Sequence, residues 1–501
     1  MRRYVLLLVA AAVPLTEASS KCKPEDYKWP SDFFYGCGTS AYQIEGAWNG
    51  GGRGTSIWDT ISHNTTVVVG GDTGDVADDH YHRFEEDVDF FAEELGVETY
   101  SFSISWPRIL PNGRGPVNEP GVQFYVKLLQ ALKKRNVTPI CKLFHWDLPQ
   151  ALQTEYGGWT SKRVIADFDH YASIVLDRLG SMCDMWITLN EPSMICSKVL
   201  EYTLGREPKE EKLLCGHHAL LAHAAAVKTF RAKGFKNKKI SLINDGPFQL
   251  PLDATSAVDR NAARKAMEYS IGWFAAPIWL GDYPEVMRRE LGDLLPAFTA
   301  QELNDLKGSA DFLAFDAYTS QWASALLDPD SCSVTRTESP AWPSCVNSTQ
   351  TRIDQRTGDT VPIGIPTQSD WNYLVPSGFR VGLRFLNDMY SPPAIVISEN
   401  GMGVIGEARK DLRDALRDTA RINWYQETLR ELRSAIHDDN IPVVGFLAWS
   451  CLDNFEWEMG YGVRFGIAHV NYDTQKRTAK DSAFFLRSTF TRKETGLFIE
   501  T

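Results

Sequence analysis

The sequence predicts an α/β protein: a single (β/α)8 TIM barrel with long βα loops. Three observations lead there. Short apolar strands alternate with stretches of helical period, the pattern of parallel βα units. Eight such units can be counted, the number at which a parallel sheet closes on itself. No Pro-, Gly- or Ser-rich linker, low-complexity tract or short repeat divides the 501 residues, so residues 21–501 read as one domain.

Residues 1–20 stand apart. Met1-Arg2-Arg3 is basic, Val5–Val13 is an apolar run of nine, and Ala18-Ser19-Ser20 are small. That is the layout of a secretory signal peptide, too short to span a bilayer. The expected location is therefore secreted or within the secretory-pathway lumen, whether extracellular, vacuolar or lysosomal. No later stretch offers about 18 uninterrupted apolar residues, so no membrane anchor is expected. Three Asn-x-Ser/Thr sequons, at Asn64, Asn136 and Asn347, suit glycosylation on that route. Asn136 opens an apolar strand, which would hide it.

The chain has nine cysteines, an odd number. Cys332 and Cys345 flank a Pro- and Ser-containing loop and are the foremost candidates for a bridge, with Cys196 and Cys215 next. Cys141 and Cys451 sit in apolar runs and read as buried free thiols. No Cys-x-x-Cys pair exists, so no structural zinc is expected. A net charge of −12 argues against nucleic acid or an anionic membrane as the main partner. Fifteen Trp, 18 Tyr and 25 Phe exceed ordinary usage; most belong to a core, and the remainder could form stacking platforms for sugars.

The strands, in order, are Phe33–Tyr42, Thr99–Trp106, Val137–Trp146, Met185–Leu189, Ile240–Asn244, Phe312–Tyr318, Ala394–Ser398 and Val443–Ser450. Each is a short run rich in aliphatic, β-branched or aromatic residues. Between them, Phe84, Val88, Phe91 and Leu95 repeat at spacings of 4, 3 and 4, one face of a helix. Similar patterns run through Phe124–Lys134, Val164–Leu179, His218–Phe230 and Ile422–Ile436. The longest insertion, Gln321–Tyr373, follows the sixth strand, where long loops build the rim of a barrel site. Gly50-Gly51-Gly52-Arg53-Gly54 follows no strand and opens no clear helix, so it does not read as a phosphate loop.

The chemistry is concentrated at strand ends. In the stretch Trp186-Ile-Thr-Leu-Asn-Glu-Pro192, Pro192 has no N–H to continue a ladder, which leaves Asn190 and Glu191 at the carboxyl end. The third strand ends in His145-Trp146-Asp147, and the sixth in Asp316 and Tyr318. The seventh ends in Ser398-Glu399-Asn400-Gly401. The eighth runs into Trp449, then Asp453, Asn454, Glu456 and Trp457, and the first into Gln43 and Glu45. A barrel gathers these ends on one face, so Glu191 and Glu399 should meet across its mouth. A single strand-end acid is as readily a satisfied structural group. Two facing carboxyls ringed by Trp, Gln, Asn and His fit glycoside hydrolysis, where one protonates the leaving oxygen and the other meets the oxocarbenium-like carbon.

The motifs that carry a resemblance are Phe34-Tyr-Gly-Cys-Gly-Thr-Ser-Ala-Tyr-Gln-Ile-Glu-Gly46, His145-Trp-Asp-Leu-Pro149, Thr188-Leu-Asn-Glu-Pro192, Ile397-Ser-Glu-Asn-Gly401, Leu452-Asp-Asn-Phe-Glu-Trp457 and Arg464-Phe-Gly466. Over residues 28–490 the chain resembles glycoside hydrolase family 1, the β-glucosidase family. The resemblance implies a retaining β-glycosidase with no cofactor and no metal, acting on a small-molecule β-glycoside or short oligosaccharide. Carried over by motif, Glu191 resembles the acid/base and Glu399 the nucleophile. Gln43, His145, Asn190, Glu456 and Trp457 resemble the residues that bind the innermost sugar, and Trp449 and Phe465 its walls. Tyr318 resembles the hydroxyl bonded to the nucleophile, and Trp371 the aromatic that stacks on the leaving group. Glu191 separates the chain from the related myrosinases, which carry Gln there, and Phe455-Glu456-Trp457 from the 6-phospho-glycosidases.

The departures are equally specific. The family's second strand reads Tyr-Arg-Phe-Ser, with the Arg on the nucleophile, whereas this chain has Tyr100-Ser101-Phe102-Ser103. Ser101 is expected to leave Glu399 without its cation, raising its pKa or loosening it. Asp316 stands where Asn is usual, and Ala314 and Ser398 are milder changes. The loop Cys196–Cys215 is short and lacks the family's Gly/Pro-rich form. These changes leave two alternatives open: a weakly active or inactive sugar-binding homologue, and a transglycosidase. The cluster Asp78-Asp79-His80-Tyr81-His82 resembles a family segment without metal, and His217, His218 and His223 read as helix-packing groups.

Overall fold

In the computed structural model eight parallel strands close into a barrel. They are β1 (Phe34–Gly38), β2 (Thr99–Ser103), β3 (Thr138–Lys142), β4 (Met185–Asn190), β5 (Lys239–Asp245), β6 (Leu313–Asp316), β7 (Ile395–Asn400) and β8 (Val443–Trp449). Each pairs with its neighbour in sequence, and β1 pairs with β8 to close the ring. Residues 27–491 are described, except 65, 334 and 355. The leader at 1–20 and Cys22 lie outside the described residues.

Alternation along the strands sends every second side chain into the lumen. Ile140, Ile187, Ile243, Phe312, Ala314, Ala394, Val396 and Leu447 pack there against Phe34, Met185 and Val444. Gly445 makes room for Phe34, since a Cβ at 445 would stand 2.3 Å from that ring. The lumen is thus a largely apolar packed floor, and the polar inward-facing residues gather above it, at the carboxyl ends.

Each strand is followed by an outer helix: α1 (His80–Phe90), α2 (Glu119–Lys134), α3 (Arg163–Leu179), α4 (Glu210–Ala232), α5 (Ala257–Trp279), α6 (Pro376–Tyr390), α7 (Thr419–His437) and α8 (Asp481–Thr491). In α3 the buried set Val164, Phe168, Tyr171, Ala172, Val175, Leu176 and Leu179 falls on one stripe of period 3.6. Burying each of its larger side chains contributes roughly 1.5–3 kcal/mol. Ser256 caps α5 by accepting from the Asp259 N–H, which satisfies one of the helix's orphan donors. No helix among the described residues is long and apolar enough to cross a membrane.

Among the described residues four bridges are present: Cys37–Cys451, Cys141–Cys183, Cys196–Cys215 and Cys332–Cys345. The last two match expectation. The reading of Cys141 and Cys451 as free thiols is corrected. Cys451 follows β8 and meets Cys37 of β1 across the barrel seam, 414 residues away in sequence. Cys141 of β3 meets Cys183 just before the adjacent β4. The segment after Glu191 is not a loop but a run of short helices, Pro192–Met194, Ile195–Val199 and Leu200–Leu204, stapled by Cys196–Cys215. Asn136 is also corrected: it is exposed, in a left-handed turn (φ 56°) between α2 and β3.

Candidate active site

Local irregularities aim the two carboxylates. Pairing of β4 with β5 slips between Ile187 and Asn190, and Glu191 then takes a left-handed backbone with φ 47°. Such a conformation is costly for a residue with a side chain and is held only by its surroundings. Pairing of β7 with β6 slips between Ile397 and Glu399, which turns Glu399 toward the mouth. The chain can then pass close beneath β8 only because residue 401 is glycine: a Cβ there would lie 1.8 Å from the Trp449 carbonyl oxygen.

Oxygens of Glu191, Asp316 and Glu399 lie within 4.8 Å of one another. Lys142 Nζ donates to Glu399 Oε1 at 2.8 Å, and the Tyr318 hydroxyl donates to Oε2 at 2.9 Å. Asp316 accepts from Ser398 Oγ at 2.7 Å and from Asn190 Nδ2 at 3.4 Å. Asp245, at the end of β5, accepts from Ser193 Oγ at 2.5 Å. The Glu191 carboxyl has no hydrogen-bond donor among the described residues.

These surroundings separate the two acids. Burial, then the nearby Asp245, Asp316 and Glu399, push Glu191 well above the usual carboxylate range, with Lys142 opposing only weakly. Burial also raises Glu399, but Lys142 and the Tyr318 hydroxyl pull back toward the charged form. Glu191 is therefore the group poised to hold a proton and Glu399 the group poised to be ionised. Asp245 is pushed up to about 7, chiefly by burial, so it is about half ionised near neutral pH. The three clustered carboxyls could in principle hold a metal ion, yet the Lys142 ammonium already occupies the charge-balancing place on Glu399.

The acids line a cavity of about 990 Å³ that also includes His145, Tyr318, Trp371, Trp449, Glu456, Trp457 and Phe465. The His145 ring lies nearly parallel to both Trp449 and Trp457, with centroids 5.8 Å apart in each case. Trp371 stacks on Phe465 at 6.4 Å and meets the Tyr318 edge at 5.5 Å, while remaining 38% exposed at the mouth. Gln43 and Asn190, next to the lining residues Glu456 and Glu191, are fully buried. Gln43 Nε2 donates to Asn454 Oδ1, the Phe455 carbonyl and Glu456 Oε2, and Asn190 Oδ1 accepts from Lys142 at 3.3 Å. All eleven residues expected at the site thus converge on one end of the barrel.

Two residues escaped the sequence reading. Lys142 sits in the run Pro139-Ile-Cys-Lys-Leu-Phe144, and a lone lysine inside a buried strand was the signal. Asp245 directly follows Asn244 at the end of the fifth strand, one of two strand ends, with the second, given no polar entry. Lys142 also overturns the expectation that Glu399 lacks a cation, and with it the motive for an inactive sugar binder. Elsewhere, His80 bonds Asp87 while His82 bonds Asp79, so the two rings turn apart. His217 stacks on Phe298, His218 bonds the Trp159 carbonyl, and His223 bridges Thr188 and Ser309. These are packing roles.

The family description "Glycosyl hydrolase family 1" matches residues 25–495. Beta-glucosidase 1B of Phanerodontia chrysosporium is 40% identical over 92% of this chain and 86% of its own. Raucaffricine-O-beta-D-glucosidase of Rauvolfia serpentina is 37% identical over 92% of this chain and 91% of its own. Among solved structures, a β-glucosidase from the fungus Humicola insolens in complex with glucose is 37% identical, with TM-score 0.85 over 93% of this chain and 99% of that one.

Proposed function

The chain belongs to glycosyl hydrolase family 1 and is a retaining β-glycosidase, and from that premise we propose the roles of its residues and its sugar. Glu399 attacks the anomeric carbon and forms a glycosyl ester as the bond to the aglycone breaks. Glu191 delivers its proton to the departing oxygen. Glu191, now ionised, takes a proton from the water that attacks the same carbon, and the ester bond to Glu399 breaks to release the sugar. The observation that carries this reading is the asymmetry of the two carboxyls: two donors on Glu399, none on Glu191. The approach of an oxygen of each within 4.8 Å also suits direct attack by a closely spaced retaining pair.

β-Glucosides are the proposed substrates, supported by the relatives named above. Trp449, Trp457 and His145 offer flat faces to the sugar, Glu456 and the amides of Gln43 and Asn190 its hydroxyl partners, and Trp371 a platform for the aglycone. Secretion is proposed from the leader at 1–20, and four bridges suit an oxidising compartment. The test is to trap the enzyme with 2-deoxy-2-fluoro-β-D-glucosyl fluoride and map the labelled peptide. The label is expected on Glu399, and a label on another residue would overturn the assignment.

A further inference from the structure

We infer that Lys142 is the positioning residue that keeps the nucleophile Glu399 ionised and aligned, a cation delivered from β3 where the neighbouring β2 offers only Ser101. The inference rests on the reading of Glu399 as nucleophile.

The Lys142 side chain is wholly buried and reaches three groups from one Nζ: Glu399 Oε1 at 2.8 Å, Asn190 Oδ1 at 3.3 Å and His145 Nδ1 at 3.3 Å. It also lies over the Trp449 ring, 5.1 Å from the centroid. A buried ammonium is costly unless an anion and further hydrogen bonds compensate it. Only one ionised carboxylate is needed for that, and among the described residues Glu399 is the carboxylate in ion-pair contact with Lys142. The lysine therefore selects which member of a crowded acidic set carries the charge. His145, itself held neutral by burial and by Lys142, can accept from the ammonium rather than repel it.

Position and register explain why this cation can stand in from another strand. Ser103 of β2 lies opposite Lys142 of β3, and Ser101 faces the lumen one inward step below. Ser101 is 1% exposed and its Oγ has no hydrogen-bond partner, so it contributes nothing to Glu399. The groups that face Glu399 from the packed elements are His145 after β3, Glu191 after β4, Asp245 on β5, Asp316 and Tyr318 at β6, and Glu456 after β8. Of these only Tyr318, with Lys142, favours the carboxylate form; any ionised acid in the set opposes it. Removing Lys142 should thus raise the Glu399 pKa and move the acid limb of kcat/KM to higher pH.

The experiment compares full-length wild type, Lys142→Met and the double variant Ser101→Arg/Lys142→Thr on 4-nitrophenyl β-D-glucoside across pH, with folding checked by thermal unfolding. Lys142→Met is expected to lose roughly 100-fold in kcat, the scale of removing one charge-stabilising donor at a reacting centre, with its acid limb shifted upward. The double variant, with the cation moved to β2, is expected to regain much of that loss and to bring the limb back. A folded Lys142→Met with wild-type kcat and acid limb overturns the inference. Should Lys142→Met fail to fold, the double variant decides: folded and active supports relocation of the charge, folded and inactive overturns it. Fluoroglycoside labelling of wild type separates the two readings. No label on Glu399 removes the premise, whereas a label on Glu399 beside an unaffected Lys142→Met removes only the role of Lys142.

Discussion

The Tyr318 hydroxyl donates to Glu399 Oε2 at 2.9 Å, on the carboxylate oxygen opposite the one held by Lys142. The nucleophile is thereby gripped from β3 and from the end of β6 at once. Tyr318→Phe removes the donor but keeps the ring that meets Trp371 and Phe465 edge-on. A hydrogen bond to a charged group is worth about 1.5–3 kcal/mol, so kcat should fall roughly 10- to 150-fold. This bond favours the ionised form, so its loss should also displace the acid limb upward. An unchanged pH profile of kcat/KM would speak against the grip.

Trp371 is the exposed member of the aromatic wall, stacked on Phe465 at the mouth. Trp371→Ala should weaken aryl aglycones through KM and leave kcat nearly intact, because the ring sits at the mouth against Phe465 and Tyr318 and is hydrogen-bonded to neither carboxyl. An aromatic stacking contact contributes about 0.5–1.5 kcal/mol, so KM for an aryl β-glucoside should rise roughly 2- to 12-fold. A methyl β-glucoside, which has no ring to stack, serves as the control and should show little change.

Cys37–Cys451 ties β1 to the chain just beyond β8, where the barrel closes. Its loop takes in most of the chain, so its loss frees more of the unfolded ensemble than loss of Cys332–Cys345, whose cysteines are 13 residues apart. Cys37→Ser/Cys451→Ser should cost roughly 2–5 kcal/mol. Thermal unfolding under non-reducing conditions should therefore show a larger drop in Tm than for loss of the Cys332–Cys345 bridge.

In the segments that follow β7 and β8, Glu407 and Asp453 are joined by Lys480 through contacts of 2.5 and 2.6 Å, all three buried. Lys480→Met removes one cation from each carboxylate, leaving Arg464 on Asp453 and Arg421 on Glu407, and should destabilise by less than the roughly 3–5 kcal/mol of a fully stranded buried charge. Burial raises the Asp453 pKa, but Lys480, Arg464 and Arg421 outweigh it and hold the carboxyl below its ordinary value. Its contribution is therefore present above the unfolded pKa of about 3.9 and lost as pH falls through the lower folded value. Wild type should lose Tm steeply below about pH 4, and Lys480→Met should show a shallower loss from an already lower Tm.

The barrel was legible because each strand is a largely apolar run, six of the eight ending in a polar residue, and all eight appear where those runs lie. Five readings overshot the carboxyl end, as where Phe33–Tyr42 shortens to Phe34–Gly38, and three stopped short of it, as where Ala394–Ser398 becomes Ile395–Asn400. Glu191 and Glu399 were legible for the same reason. Lys142 was not, because the resemblance directs attention to residue 101, and only register shows that β3 carries a cation to the same carboxylate. Cys37–Cys451 was hidden because closure brings together strands from opposite ends of the chain. Asp245 was hidden because β5 reads as a plain apolar strand up to Asn244.

The central claim is the division of labour between Glu191 and Glu399, and Glu191→Gln tests it most directly. The measurement is kcat/KM against pH for wild type and variant, on methyl and on 2,4-dinitrophenyl β-glucoside. Protonation matters for the poor leaving group and hardly at all for the good one. The account predicts a loss of roughly 10²- to 10⁴-fold on the methyl glycoside, near-wild-type kcat/KM on the dinitrophenyl glycoside, and disappearance of the alkaline limb. Equal losses on both substrates, or an alkaline limb that survives the substitution, would contradict it.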